Sequence, residues 1–451
     1  MKILKILIGI LVVALLLQVF FGTLWYYTYS GLLFVFFIRE FVVNLGRKIV
    51  FLEFLSALAL LQWLIGPTLY YLYLEESLFY AFRMMVEPKE YFQFVYPATV
   101  ALIAGLYLPL RKYQEDHTQL FESIKDYLSD KPKTGLILVA TGLTSSFLSP
   151  YVPNSLSFIF FLLKDLMYVG AIYLFFSPFR GKVLTLGVVG VLLLFQTVKL
   201  GMFKEFVFWL LFFVIFLTFY YQISLRRKMV LSILVASLVG IIQSVKGEYR
   251  LATWESYDAR QSKTSIMWGL IKNNIANPNS VFFNKYFLEQ NVHRINQGAL
   301  ISHVMAHTPE QEPFARGATV KSAIFSSVLP RFLWPNKRKA DEELFEKYSG
   351  IQLLRGTSMN LSPLGEAYAN FGKLGSVIFM FFYGLFIGWG FLKFLQYAKG
   401  IPTVVLWLPM VFYQVLAVES DLFKVFNALT KGAIMVIFVF FVFRKILKTH
   451  I

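Results

Sequence analysis

Residues 206–225 read FVFWLLFFVIFLTFYYQISL and residues 229–246 read MVLSILVASLVGIIQSVK, with Arg226, Arg227 and Lys228 between them. The first run carries no charge, and the second carries only its terminal Lys246. A hydrocarbon core of about 30 Å takes about 20 apolar residues of helix at about 1.5 Å each. Backbone N–H and C=O groups find no water there, so an apolar run of that length crosses as a helix. Two such runs joined by three cations predict a helical hairpin whose turn lies on the more basic side of a membrane.

The same ruler, carried outward in both directions, gives about twelve spans. They fall near 5–21, 24–39, 50–74, 93–110, 134–150, 155–177, 183–199, 206–225, 229–246, 372–392, 402–418 and 428–443. Residues 3–38 hold one internal charge, Lys5, and fit either two short helices or one long helix with a re-entrant piece. No small-residue cleavage pattern follows the first run, so it is read as a retained span rather than a signal peptide. Composition agrees with a membrane chain: 57% of the 451 residues are hydrophobic and 15% charged, against about 25% charged in soluble domains. That balance excludes a soluble globular enzyme, a disordered chain and a fibrous repeat. With no cysteine there is no disulfide, thiolate metal site or cysteine nucleophile.

The net charge of +17 has a topological reading. With the N-terminus in the cytoplasm, the inner segments collect Arg39, Arg47, Lys48, Arg111, Lys112, Arg180, Lys182, Arg226, Arg227, Lys228, Lys393, Lys399, Arg444 and Lys445. The short outer loops hold only Arg83, Lys89, Lys199, Lys204, Lys424 and Lys431. This bias sets the direction, favours an even number of spans with both termini inside, and removes any need for a nucleic-acid partner. The expected fold is an all-α polytopic membrane protein. It divides into a bundle of about nine helices over 1–246, a large outer loop over 247–371 and about three helices over 372–451.

A loop that long is usually functional. It carries Arg250, Arg260, Arg294, Arg316, Arg331 and Arg355. Guanidinium groups grip phosphate oxygens bidentately and stay charged when desolvated, so arginines converging beside a membrane suit a lipid-linked diphosphate. Solvated surface ion pairs are the bland alternative for each. Lys246-Gly247-Glu248-Tyr249-Arg250 stands where the helix leaves the bilayer, as an interfacial anchor or as a phosphate contact. Trp254, Tyr257 and Trp268 can pack sugar rings or a small core.

His303 and His307 share a helical face, but lack the Glu of a zinc motif and an obvious third ligand; packing or a base role at His303 is the alternative to metal. Pro330-Arg331-Phe332-Leu333-Trp334-Pro335-Asn336-Lys337 brackets an aromatic-basic core with prolines, serving phosphate or membrane-surface anchoring. Glu366 and Asn370 share a face at a helix start, where a carboxylate can cap, act as a base or bind a sugar. Lys164-Asp165 lies within a span and should find partners there, each its own. Glu419-Ser420-Asp421 is a polar turn at the outer depth. No phosphate-binding loop of the ATPase kind occurs, and the outer loop has no D-x-D.

Gly317, the Pro330–Lys337 run and Gly365-Glu366-Ala367-Tyr368-Ala369-Asn370-Phe371-Gly372, in that order, resemble the Wzy-type oligosaccharide repeat-unit (O-antigen-type) polymerases. Gln243–Arg250 and Leu61-Gln62-Trp63-Leu64-Ile65-Gly66-Pro67 are similar to the same group. The likeness covers most of the chain as architecture and only short patches as motif. It implies a GT-C-like, metal-independent glycosyltransferase with no cofactor at the outer face of a bacterial inner membrane. Its substrates would be polyprenyl-diphosphate-linked oligosaccharides, with a chain-length regulator and a flippase as possible associates. It also implies diphosphate contacts from Arg250 and Arg331 first, then Arg260, Arg294, Arg316 and Lys337. Trp334, Tyr368 and Asn370 would meet the glycan, and Glu366, with His303 second, would serve as base or acceptor ligand. An O-antigen-ligase relative and a lipid-linked oligosaccharide transporter are the alternatives.

Overall fold

The computed structural model describes residues 2–74, 80–113, 116–250, 252–253, 262–276, 285–329, 342–353, 358–448 and 451. Among the described residues the secondary structure is helical, with no strand. In chain order the first helices are α1 (Lys2–Phe21), α2 (Trp25–Asn44), α3 (Phe51–Tyr73, with a π turn at Leu61–Ile65), α4 (Pro88–Tyr107), α5 (Thr118–Leu128) and α6 (Pro132–Leu148). Next come α7 (Asn154–Lys164), α8 (Leu166–Phe176), α9 (Lys182–Leu200), α10 (Lys204–Tyr221) and α11 (Leu225–Arg250). The segment between α11 and the last helices holds α12 (Lys263–Ala276), α13 (Lys285–Ile295), α14 (Gln297–His307), α15 (Ala318–Val328) and α16 (Glu342–Ser349). The chain closes with α17 (Ser362–Gly400), α18 (Leu408–Leu416) and α19 (Leu422–Phe441).

Eight stretches among these are long and apolar enough to cross a membrane: Trp25–Asn44, Phe51–Tyr73, Pro88–Lys112, Ser157–Phe176, Lys182–Leu200, Lys204–Tyr221, Ser362–Gly400 and Leu422–Ile446. The chain is therefore a helical membrane protein. Lys5–Phe21 and Pro402–Leu416 are apolar but shorter. The second of these begins with the 3₁₀ turn Pro402–Trp407, which leaves nine residues of α-helix in α18, about 14 Å and too short to cross alone. The first 40 residues form two helices, parted at Gly22 with its left-handed φ of +67°. Tyr29 of α2 ties them together by donating its hydroxyl hydrogen to Leu7 O at 2.9 Å.

The helices bury one face and leave the other to lipid. Val183, Leu184, Val188, Val191 and Phe195 of α9 are exposed, as are Ile434, Ile437, Phe438 and Phe441 of α19. Rows of exposed aliphatic and aromatic residues at helical spacing would be a liability in water and are ordinary in a bilayer. Inside, rings interlock: Phe121 stacks on Phe219 at 3.8 Å, and Trp407 Nε1 donates to Tyr173 Oη at 2.8 Å. Small residues allow the closest crossings. A Cβ on Gly105, Gly384 or Gly388 would strike the backbone of the facing helix, so α4 and α17 touch main chain to main chain.

The segment that carries α12–α16 is seated on the bundle. A Cβ on Gly298 would collide with Pro67 and Tyr91, and one on Gly66 would lie 2.5 Å from Ile295 O, so α14 lies directly against α3 and α4. Gly372 breaks α17 with φ 65° and ψ −167°, where the tenth predicted span begins. Before the break, Ala369 O and Asn370 O accept the N–H groups of Ala315 and Arg316 at 2.9 and 3.1 Å. The break is thus clasped by the chain that precedes α15.

Candidate functional site

Three cations meet where α11 emerges at its Arg250 end. Arg250 donates Nε–H to Gly201 O at 3.0 Å, and the neighbouring Tyr249 hydroxyl donates to Val198 O, so the end of α11 is bound to the α9–α10 turn. Gly201 has φ +66°, a conformation that closes α9 and that glycine adopts freely. Arg294, near the end of α13, reaches across to α11. Its Nη2 lies 3.2 Å from where a Cβ of Gly247 would stand, so the missing side chain makes room for the guanidinium. Lys246 lies within electrostatic reach of Arg250, Arg294, Lys204 and Glu419. Lys204 and Glu419 pair at 3.7 Å.

Like charges crowd one another here. Among the described residues neither Lys246 nor Arg294 has a hydrogen-bond or ion-pair partner. Burial lowers the Arg250 guanidinium from its ordinary value, with Arg294 beside it as the second cause. Burial lowers Arg294 as well, although its surface stays exposed to solvent. Cations gathered in this way suit an anion with several oxygens.

Glu366 stands at the other side of the same turn. It is fully buried, and its Oε2 accepts the backbone N–H of Leu422 at 2.9 Å, at the start of α19. Asp421 caps the same helix by accepting Lys424 N–H at 2.8 Å. Glu419 lies three residues before Leu422, at most about 11 Å of extended chain. One turn therefore bears on both the cations, through Glu419, and the buried carboxylate, through Leu422.

The remaining predicted residues are divided. Asn370 is fully engaged: Nδ2 donates to Thr319 Oγ1 and Glu366 O, both at 2.7 Å, and Oδ1 accepts Gly317 N–H at 3.0 Å. Tyr368 is buried against Phe94, with ring centroids 5.0 Å apart. Arg316 holds a left-handed φ of +48° and donates its backbone N–H to Asn370 O. His303 is buried on α14 with Nε2 3.1 Å from Tyr80 O; burial pushes its imidazole down to about 4, so it is neutral at pH 7. His307 packs near Gly350, and no group of three potential metal-ligating side chains occurs among the described residues. Lys164 pairs with Glu205 of α10 at 2.9 Å, an interhelical bond, and its neighbour Asp165 is buried within electrostatic reach of both. Arg260, Arg331, Trp334 and Lys337 lie outside the described residues, as do Trp254 and Tyr257. Sequence reasoning kept Lys204 and Glu419 apart from the arginines; the signal available was only their shared outer depth.

Residues 48–449 match the family model of DUF8712, a domain of unknown function. The chain belongs to that family. The match takes in every helix from α3 to α19, and so both the cation cluster and the Glu366 turn. No curated protein and no solved structure matches the chain.

Proposed function

We propose that this DUF8712 member polymerises polyprenyl-diphosphate-linked oligosaccharide repeat units at the outer face of a bacterial inner membrane. About twelve helices, with both termini inside, would frame the site. The observation that supports the proposal is the convergence of Arg250, Arg294 and Lys246 at the end of α11. An acceptor hydroxyl attacks the anomeric carbon of the donor glycan; the new C–O bond forms as the bond from that carbon to the lipid diphosphate breaks. The bonding pair leaves with the diphosphate, whose added charge the three cations stabilise in the transition state. Arg331 and Lys337, with Arg260, are assigned from the sequence to the same lipid headgroup, and Trp334 to the glycan. The hydroxyl proton passes to a carboxylate. Glu419 is accessible beside the cations, whereas Glu366, buried beneath the turn, positions that turn.

The test uses purified full-length protein and lipid-linked single repeat units. Long glycan with release of the lipid diphosphate is expected, and its loss in Arg294→Ala and Arg250→Ala variants that still insert. Transfer of intact glycan to a different lipid without lengthening would indicate a ligase. Movement of substrate across vesicles without bond formation would indicate a transporter. Either result defeats the proposal.

A further inference from the structure

A second feature lies at the opposite, basic end of the bundle. Gly105 of α4 and Gly384 and Gly388 of α17 bring these helices into main-chain contact, so the surface is depressed along their seam. A groove of about 820 Å³ opens there. Leu108 and Pro109 form one wall, and Phe382, Phe386, Trp389 and Leu392 the other. Leu108, Phe382, Phe386 and Trp389 are exposed, so the groove faces lipid. From Phe382 to Leu392 the wall runs about 15 Å, half of a hydrocarbon core of about 30 Å and therefore the depth of one leaflet.

The mouth of the groove is cationic. Pro109 begins a 3₁₀ turn, Pro109–Lys112, after α4, which places Arg111 and Lys112 at the end of the apolar walls. Both are exposed, and neither has a hydrogen-bond or ion-pair partner among the described residues. Lys393 adds a third cation, 5.9 Å from the centroid of the Trp389 ring. Apolar walls one leaflet deep with unpaired cations at the rim complement acyl chains joined to an anionic headgroup. We propose that the α4–α17 groove is a binding site for an anionic phospholipid of the leaflet on the basic side. The lipid's chains lie on Phe382, Phe386 and Trp389, and its phosphate lies between Arg111 and Lys112. The site is separate from the cation cluster at the end of α11 and does not depend on the polymerase reading.

Trp389 reports on its own groove. The full-length protein is reconstituted in phosphatidylcholine vesicles containing brominated phosphatidylglycerol or brominated phosphatidylcholine at matched mole fractions. Quenching of Trp389 is obtained as the difference between wild type and Trp389→Phe, because the chain has eight tryptophans. The brominated anionic lipid is expected to be preferred by about tenfold or more, the effect of two surface cations. The preference should survive high salt, because a seated headgroup is screened less than a diffuse layer. Arg111→Gln/Lys112→Gln, two exposed positions that leave the helix packing intact, should reduce it to near unity. Equal quenching by the two lipids overturns the proposal, as does a preference that salt abolishes. Displacement of both lipids by polyprenyl phosphate, without any advantage for phosphatidylglycerol, also overturns it and makes the groove a carrier-lipid track.

Discussion

Replacing Glu366 by Gln and by Ala separates a positioning carboxylate from a proton acceptor. Glu366 Oε2 accepts the Leu422 N–H at 2.9 Å in a fully buried setting at the start of α19. A hydrogen bond involving a charged group contributes about 1.5–3 kcal/mol, and a carboxylate at a helix N-terminus adds about 0.3–1 kcal/mol. Glu366→Ala removes both and leaves a buried donor behind. We expect a loss of about 2–3 kcal/mol; 2 kcal/mol alone raises the unfolded fraction about thirtyfold. Glu366→Gln keeps a carbonyl oxygen for Leu422, so the cost falls to about 1 kcal/mol. The assays are denaturant titration of detergent-purified full-length protein and gel analysis of glycan made from lipid-linked repeat units. For a positioning residue, the Gln variant keeps its rate within about tenfold, because the turn carrying Glu419 stays in place, while the Ala variant loses stability and activity together. A general base supplies about 10²–10⁴ of rate. If the Gln variant loses a thousandfold in rate with an unchanged unfolding midpoint, Glu366 takes the proton and its positioning role is wrong.

Arg294→Ala should weaken inorganic pyrophosphate binding by about tenfold or more, as loss of a charge-assisted contact predicts; unchanged calorimetric affinity would remove Arg294 from the site. Lys164→Met strands Glu205 in a helix interface and should cost about 2 kcal/mol, less than a fully buried pair because Glu205 keeps 25% of its side chain exposed. Asp165→Asn, which leaves that pair intact, should be neutral or stabilising in the same unfolding assay. His303 titrates near 4 when folded and near 6.5 when unfolded, so the unfolded chain takes up the proton first as pH falls. Its contribution is therefore full above pH 6.5 and declines between about 6.5 and 4, by about 3 kcal/mol in all. His303→Gln should flatten that slope, and a slope unaltered by the substitution would count against it.

Eight of the roughly twelve expected spans were legible, because a bilayer imposes a single length on apolar runs; 134–150 and 229–246 form the helices α6 and α11 but are not among the eight, and 5–21 and 402–418 are shorter. The hairpin at Arg226–Lys228 and the break before 372–392 appear as α10, α11 and the Gly372 kink. The two-helix form of the first 40 residues turned on Gly22, a single residue whose left-handed conformation composition does not reveal. The shortness of α18 turned on how Pro402 and Pro409 share the stretch between them, which apolar content does not register. The site was legible by residue type and not by partner. Glu366 suggested a cap for its own helix, yet it serves the start of α19, 56 residues on. Asn370 suggested a sugar ligand, but its amide is occupied by Gly317, Thr319 and Glu366 O. Such pairings depend on which helices the bundle brings together, and no periodicity along the chain encodes them.

The cation cluster gains its meaning from what it costs. Two like charges held about 6 Å apart repel by about 0.7 kcal/mol in water and about 3 kcal/mol at an effective dielectric of 20. A fold gains nothing from bringing Lys246, Arg250 and Arg294 together, and one Leu or Met in place of Arg294 would relieve the repulsion. The chain instead provides for the approach. Gly247 gives up a side chain on a helix, at about 1 kcal/mol relative to Ala, and the Arg294 guanidinium occupies the space. Gly201 turns its carbonyl to Arg250 and holds that side chain in place. Glu419, within reach of Lys246, is shared with Lys204. The gathered like charges and the helical Gly247 oppose stability locally, and an anion would relieve the repulsion. On the function proposed above, a diphosphate on a lipid carrier would supply that anion where α11 ends, and its departure from a sugar would be the step these charges assist.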